Sequence, residues 1–395
     1  WWRETGTILD SAVMSITREK TFIPREALQR LFSHCEAVGA SDIHLSAVLA
    51  PRFRVQGRLA ADAVCGALSA DEVEECGLAL VLETLPQHTA TLEAARELLW
   101  RSGAVDGATT SRAGDRYRFN VYRENGTTAV ALRRLDDSFQ TLEELGLPPQ
   151  LARFSEMRDG LVVVTGPTGS GKSTTLATLI DQINRKRDCH IITIEDPVEY
   201  VHVSQRSLVH QRQIGRDAAS FNAALVESLR QDPDVILVGE IREIETIRTA
   251  ITAAETGHLV FTTLHAGDCV GAIERLVAVF PTGEQEGIRR QLALVLRGIF
   301  AQHLLPPLQE GGRRVASGEL LLVNSAIANL IANAKSPQIY SSIETGAGLG
   351  MQTLDQSLAQ LINAGRISEQ TATAMSRNPS LLKDRLRNGN GRGVL

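Results

Sequence analysis

Aromatic residues make up only 4% of the 395-residue chain, and two of its three tryptophans are Trp1 and Trp2. Binding single-stranded nucleic acid takes stacking aromatics beside a basic groove. A net charge of −5 supplies no general field for nucleic acid or anionic lipid, so nucleic acid is not an expected partner. No apolar run approaches the roughly 18 to 20 residues that span a bilayer. The N-terminus has no basic segment leading into an apolar one, so no secretory signal is read. The five cysteines, Cys35, Cys65, Cys76, Cys189 and Cys269, are scattered without a CxxC pair, which argues against a disulfide framework or a structural zinc. A reduced, cytoplasmic protein is expected, with residues 1–13, ahead of Met14, read as leader.

Hydrophobic residues at 43% and charged residues at 22% fit a globular chain, and the length calls for more than one core. Pro24 opens a helix whose Leu28, Leu31, Phe32 and Cys35 recur at helical spacing. Strands follow at 41–46 and 52–59, and Ser69 with Glu72 makes a capping-box pattern before a helix near 70–84. Residues 116–134, RYRFNVYRENGTTAVALRR, form a hairpin about the Asn125-Gly126 turn. With those two residues as the loop, Val121 opposes Val130 and Phe119 opposes Leu132, a sensible apolar face. The same register sets Arg118 opposite Arg133, and like charges so placed are destabilising.

From residue 160 the pattern changes to short unbroken apolar runs, at 161–164, 190–194, 234–239 and 258–264, separated by helical stretches. Such runs are strands of a parallel sheet covered on both faces. The fold class is therefore α/β. Residues 1–22 are expected to be leader or disordered, 23–135 an α+β domain, 136–150 a polar linker, 151–383 the α/β domain with a helical C-terminal part, and 384–395 a disordered tail. Leu354, Leu358, Leu361 and Ile362 share one face of a late helix.

GPTGSGKS, Gly166 to Ser173, matches the P-loop pattern between a strand and a helix. Its backbone N–H groups and the helix N-terminus suit phosphates. Gly166, Pro167, Thr168, Gly169, Ser170, Gly171, Lys172, Ser173 and Thr174 are the nucleotide-binding candidates. Lys172 is expected at the β- and γ-phosphates of ATP, and the Ser173 hydroxyl on Mg²⁺. DVILVGE ends a buried strand in Glu240, with Gly239 where an Asp would ordinarily stand, so Glu240 is the candidate Mg²⁺ partner, directly or through water. In TIEDPVEY, Glu195, Asp196 and Glu199 crowd a strand end, and that many close carboxylates call for a cation or a phosphate-bound water; Glu199 is the candidate general base. His258 and His265 bracket the strand HLVFTTLH. His265 lies at the end where ligands gather in such sheets, and His258 is read more readily as a cap.

With these residues in place the sequence resembles the secretion-type ATPases of type IV pili and type II secretion, nearest their PilT-type twitching-motility (retraction) branch. The marks are the P-loop, IITIEDPVEY, LRQDPDVILVGEIRE and TAAETGHLVFTTLHAGD, and the likeness runs from about Ile23 to Leu382. It implies a homohexameric ring of subunits, each with an N-terminal PAS-like domain and a RecA-like P-loop NTPase domain. ATP would lie between the two, facing the next subunit. It implies Glu199 as catalytic glutamate, Glu240 as the Walker B glutamate, and His258 and His265 as the His box. No tetracysteine motif of the assembly branch is present. AIANLIANAK, at 326–335, is similar to the retraction branch's AIRNLIRE, with Ala328, Ala332 and Asn333 at its charged positions.

The expected function is a motor ATPase powering pilus retraction from the cytoplasmic face of the inner membrane, against a platform protein and alongside a possible paralogous retraction ATPase. The alternatives are a paralogous pilus or secretion accessory ATPase, a nucleic-acid motor of the same superfamily, and a nucleotide-gated scaffold without turnover. The facing arginines fit the first reading: a γ-phosphate held by Lys172 would sit between Arg118 and Arg133, with Arg116 and Arg123 as lesser candidates. Arginines in this role stabilise transferring phosphoryl groups, and the resemblance likewise places phosphate-sensing arginines there.

Overall fold

The computed structural model describes residues 22–389, apart from 56, 62–65, 86–89, 136–138 and 310–311. The expected leader before Phe22 and the tail from 390 onward lie outside the described residues. The N-terminal half comprises helix α1 (Pro24–Ala37), strands β1 (Asp42–Leu45), β2 (Arg52–Val55) and β3 (Arg58–Ala61), helices α2 (Ala70–Leu82) and α3 (Leu92–Ser102), and strands β4 (Ala104–Thr110), β5 (Arg116–Glu124) and β6 (Thr127–Leu135). The strands form one antiparallel sheet in the order β3-β2-β1-β6-β5-β4. Ile43, Phe119, Val121, Val130 and Leu132 project from it onto Leu28, Phe32, Val73 and Leu99 of the helices. Burying each such side chain contributes about 1.5–3 kcal/mol. The capping box of α2 is formed as its sequence requires, with Glu72 N–H donating to Ser69 Oγ and Ser69 N–H to Glu72 Oε2.

Asn125 and Gly126 both have positive φ, 47° and 81°, the conformation a two-residue hairpin loop needs. That loop fixes the register: Val121 faces Val130, Phe119 faces Leu132, and Arg118 faces Arg133. The repulsion is relieved differently from expectation. Asp42 of β1 lies opposite Arg133 on one side and Arg54 on the other. Its carboxylate accepts Arg133 Nε at 2.8 Å and lies 3.5 Å from Arg54 Nε. Burial alone would raise the Asp42 carboxyl, but the Ser41 hydroxyl and the two arginines hold it below its ordinary value. Arg133 is therefore neutralised within its own sheet.

The second half runs α4 (Ala152–Glu156), β7 (Gly160–Thr165), α5 (Lys172–Lys186), β8 (His190–Glu195), β9 (Leu208–Gln213), α6 (Phe221–Ser228), β10 (Val235–Val238), α7 (Ile244–Glu255), β11 (Leu259–Leu264), α8 (Cys269–Ala278), α9 (Thr282–Val295), β12 (Leu296–Leu305) and β13 (Val315–Leu322). Helices α10 (Ser325–Ala332), α11 (Pro337–Thr345), α12 (Leu354–Asn363), α13 (Glu369–Met375) and α14 (Pro379–Gly389) follow. The sheet order is β13-β12-β7-β11-β10-β8-β9. All neighbours are parallel except β13, which runs antiparallel to β12. One face packs on α7, α8 and α9 through Val163, Ile236 and Val260. The other packs on α5 through Val162, Val164 and Phe261. Double coverage is why these strands read as unbroken apolar runs.

Three expectations change here. The C-terminal part opens with two strands, β12 and β13, before its helices. The segment expected as a linker sends Leu142 and Leu147 into the second core, anchoring it to that sheet. The expected disordered tail is helical as far as Gly389, and Leu386 packs with Leu354, Leu358 and Leu382 in a small separate core.

Candidate active site

The carboxyl ends of β7, β8, β10 and β11 open onto a cavity of about 680 Å³. The loop from Gly166 to Gly171 forms its floor. Gly166 has φ +147°, and a Cβ there would lie 2.3 Å from the Gln302 carbonyl oxygen of β12, so only glycine fits against that strand. Thr168, Gly169, Gly171, Lys172, Ser173 and Thr174 line the cavity, while Gly166, Pro167 and Ser170 stand behind it. Lys172 Nζ donates to the carbonyls of Gly166 and Pro167 at 3.0 and 3.1 Å. Burial pulls its ammonium below the ordinary lysine value, with Glu240 and Glu199 opposing. An anion arriving over the loop would favour the charged form. Ser170 Oγ is buried and has no hydrogen-bond partner.

From β8, Glu195, Asp196 and Glu199 reach the cavity together. Glu195 is turned inward, accepting from Thr193 Oγ1 at 2.6 Å and Gln211 Nε2 at 3.3 Å, and burial pushes its carboxyl up despite these bonds. Burial also raises Asp196, against the pull of Arg118. Glu199 faces the N-terminal sheet: Arg118 Nη1 lies 3.8 Å from its Oε1, and Arg116 Nη1 donates to its carbonyl at 3.0 Å. The crowded acids are accommodated by one cation and by carboxyls shifted toward the neutral form.

On the opposite wall, Glu240 follows β10 and pairs with Arg242 at 2.8 Å, with His265 Nε2 at 3.7 Å. Burial first, then Lys172, lowers the His265 imidazole, leaving it neutral near pH 7. His258 is at the other end of β11, where its Nδ1 lies 2.9 Å from the Ala253 carbonyl oxygen and 3.1 Å from Thr256 Oγ1. It caps the turn after α7 and does not line the cavity. Arg133 does not line it either, for its partner is Asp42. Arg123 is stacked over Trp100 at 3.4 Å. Of the facing arginines, Arg118 alone enters the site.

Sequence reasoning missed Arg242, His202 and Arg314, all in the lining. Arg242 was legible as the basic residue two beyond Glu240. Arg314, which donates to the Gly169 carbonyl at 3.2 Å, arrives from the β12–β13 connection and carries no motif. Gln302 supports the loop from beneath, accepting from Thr175 Oγ1 at 2.6 Å.

A magnesium nucleotide fits this donor set. The loop offers a glycine cradle, an ammonium and an unsatisfied hydroxyl. Ser173, Glu199 and Glu240 present only oxygen, the preference of a hard cation. Among the described residues no group of three or more His, Cys, Asp or Glu forms a metal cage.

The family model described as "Type II/IV secretion system protein" matches residues 116–382. The chain is 43% identical over 343 residues to the type IV pilus retraction ATPase PilT of Pseudomonas aeruginosa, covering 86% of this chain and 95% of that protein. It is 36% identical over 336 residues to the type IV pilus ATPase PilU of the same organism, covering 85% of each. Its fold matches the crystal structure of the pilus retraction motor PilT with bound ADP at a TM-score of 0.81 and 40% identity, covering 90% of this chain and 99% of that one.

Proposed function

The chain belongs to the type II/IV secretion system protein family, and on that footing we propose that it is a motor ATPase that powers type IV pilus retraction. The observation that carries the reading is the convergence of Lys172, Glu199, Glu240 and His265 on one cavity that Arg118 of the other sheet completes. The N-terminal sheet is read as the PAS-like domain and the second as the RecA-like domain of a homohexamer. It works at the cytoplasmic face of the inner membrane against a platform protein of the pilus machine.

In the reaction, water attacks the γ-phosphorus of ATP and the bond to the ADP oxygen breaks. Glu199 accepts the water proton. Lys172 and the loop N–H groups hold the β- and γ-phosphates, and Arg118 meets the charge on the transferring group. His265, beside Glu240, is the γ-phosphate contact on the far wall. Ser173 and Glu240 would hold Mg²⁺, which offsets phosphate charge. Loss of the γ-phosphate removes what Arg118 and Lys172 share across the two sheets. That difference between states is what a ligand needs to move a domain.

The test is phosphate release from the purified full chain with Mg-ATP, beside Glu199→Gln. Glu199→Gln should lose at least about 10²-fold in kcat while still binding nucleotide; equal rates would remove Glu199 from its role. A second reading, a paralogous accessory motor, is favoured by Ala328, Ala332 and Asn333, which leave α10 uncharged where the retraction branch carries charge. Pilus counts in a deletion strain separate them: many static pili follow loss of the principal retraction motor, near-normal numbers the loss of an accessory one.

A further inference from the structure

The four residues between β11 and α8, His265 to Asp268, are fastened at every position. His265 O accepts from Arg275 Nη1 at 2.9 Å. Ala266 is gripped by the Thr165 hydroxyl, which donates to its carbonyl at 2.9 Å and accepts its N–H at 2.8 Å. Gly267 O lies 3.2 Å from His303 Nε2. Asp268 caps α8 by accepting the Gly271 N–H at 2.6 Å, and its other oxygen takes Arg377 Nη2.

Below this loop sits a carboxylate for which catalysis has no use. Glu319 of β13 is 2% exposed. Its Oε1 accepts the N–H of Cys269, the first residue of α8, at 3.0 Å. Its Oε2 is buried without a hydrogen bond, and Arg377 Nη1 is 3.9 Å away. Burial raises this carboxyl, with the Cys269 N–H and Arg377 opposing. A buried carboxylate with one oxygen left unpaired costs stability unless a nearby charge compensates.

Arg377 is that charge, and it comes from the far end of the chain, between α13 and α14. Its backbone is pinned as well: the N–H groups of Arg377 and Asn378 donate to the two oxygens of Asp355 on α12, each at 3.2 Å. Asp355 is 1% exposed. The guanidinium also lies over the Tyr340 ring of α11, 5.1 Å from its centroid. Through its side chain Arg377 joins α11 to the β11–α8 loop, and through its backbone, with that of Asn378, it ties the α13–α14 turn to α12.

We propose that Arg377 is a positioning residue for hydrolysis: through Asp268 and Glu319 it holds the loop that carries His265, so the C-terminal helices and the phosphate end of the cavity share one element. The inference rests on the reading of His265 as a γ-phosphate contact. A change at the phosphate would pull on Asp268 and reach the C-terminal helices through Arg377. Conversely, a partner bound to those helices would tune hydrolysis without touching the cavity.

The test uses the full chain carrying Arg377→Gln, Arg377→Lys, His265→Gln and the double variant Arg377→Gln with His265→Gln. Arg377→Gln should lower kcat about fivefold or more while nucleotide affinity stays within about twofold. Arg377→Lys, which keeps the charge but not the fork, should recover part of the loss. In the His265→Gln background, Arg377→Gln should lower kcat no further, because its effect passes through His265. A merely structural role would slow both backgrounds by the same factor, and that result overturns the proposal, as does a wild-type kcat in Arg377→Gln. If Arg377→Gln does not fold, Arg377→Lys with hydrogen exchange decides. Faster exchange at the Cys269 and Gly271 amides supports the clamp, and unchanged exchange with unchanged kcat refutes it. His265→Gln at the wild-type rate removes the site reading and the clamp together; a slow His265→Gln beside a normal Arg377→Gln removes the clamp alone.

Discussion

Arg118 and Arg133 face each other across one hairpin, and replacing each by alanine should give opposite phenotypes. Arg118 lines the cavity 3.8 Å from Glu199, with 42% of its side chain exposed. Deleting one charge-stabilising donor at a phosphoryl or acyl centre costs about 10²- to 10³-fold in kcat, or about 2.7–4 kcal/mol; Arg118→Ala should fall there with little loss of stability. Arg133 is 69% exposed and bonded to a nearly buried Asp42. Solvent screens such a pair to about 1 kcal/mol or less, and Arg54 remains 3.5 Å from the same carboxylate. Arg133→Ala should therefore keep kcat within about twofold and lower the urea midpoint slightly. The loss should fade in acid. Asp42 titrates below its ordinary value in the folded protein, so its pairs contribute fully above the unfolded carboxylate pKa of about 3.9 and are lost as pH falls through the folded one. Steady-state phosphate release and urea melts at pH 7 and pH 3 read both effects. If Arg133→Ala slows hydrolysis as much as Arg118→Ala, the assignment of Arg133 to Asp42 is wrong.

Gly166→Ala should abolish nucleotide binding, since its Cβ would meet the Gln302 carbonyl oxygen at 2.3 Å at a φ of +147°; that backbone strain alone costs about 1–3 kcal/mol. Binding of a fluorescent nucleotide at wild-type affinity would refute the cradle. His202 is 7% exposed, its Nδ1 has no hydrogen-bond partner, and burial pushes its pKa down to about 4. The unfolded chain takes up that proton first, so stability falls as pH drops from about 6.5 to 4, by about 3 kcal/mol in full. His202→Phe should flatten that part of the urea-midpoint profile, and an unchanged slope would show that His202 is not buried neutral.

What the sequence made legible were local patterns. The hairpin register followed from Asn125-Gly126, and the parallel strands from double burial. Strands β12 and β13 escaped notice because they carry buried polar residues, Gln302, Ser317 and Glu319, which break the apolar run that marks a core strand. Gln302 holds the helix after the P-loop from beneath, Glu319 holds the start of α8 beside the His265 loop, and Ser317 meets Ser357 of α12. His258 and His265 flank one strand, yet the sequence already told them apart by the end each occupies. A parallel sheet gathers ligands at its carboxyl ends, so they have different fates. The polar punctuation of 136–150 likewise hid Leu142 and Leu147, which join a core that reaches as far along the chain as Phe300 and Leu320. Arg314 and Arg377 reach their places only through tertiary folding, and no spacing announces them.

The same geometry sets the scale of the coupling between the two sheets. Arg116 and Arg118 leave adjacent outward positions of β5 for the carbonyl and the carboxylate of Glu199. A half-exposed ion pair contributes about 1 kcal/mol at most, and a hydrogen bond from a charged guanidinium to a carbonyl about 1.5–3 kcal/mol. Shifting a two-state arrangement from 1:99 to 99:1 takes about 5.5 kcal/mol, more than these contacts provide. The rest must come from something that binds one arrangement better than the other. A γ-phosphate between Lys172 and Arg118 has the charge for it, and hydrolysis removes that charge from the same place. The weakness of the direct contacts is thus a condition for switching: a stronger protein–protein clamp would hold the sheets together whatever nucleotide was bound.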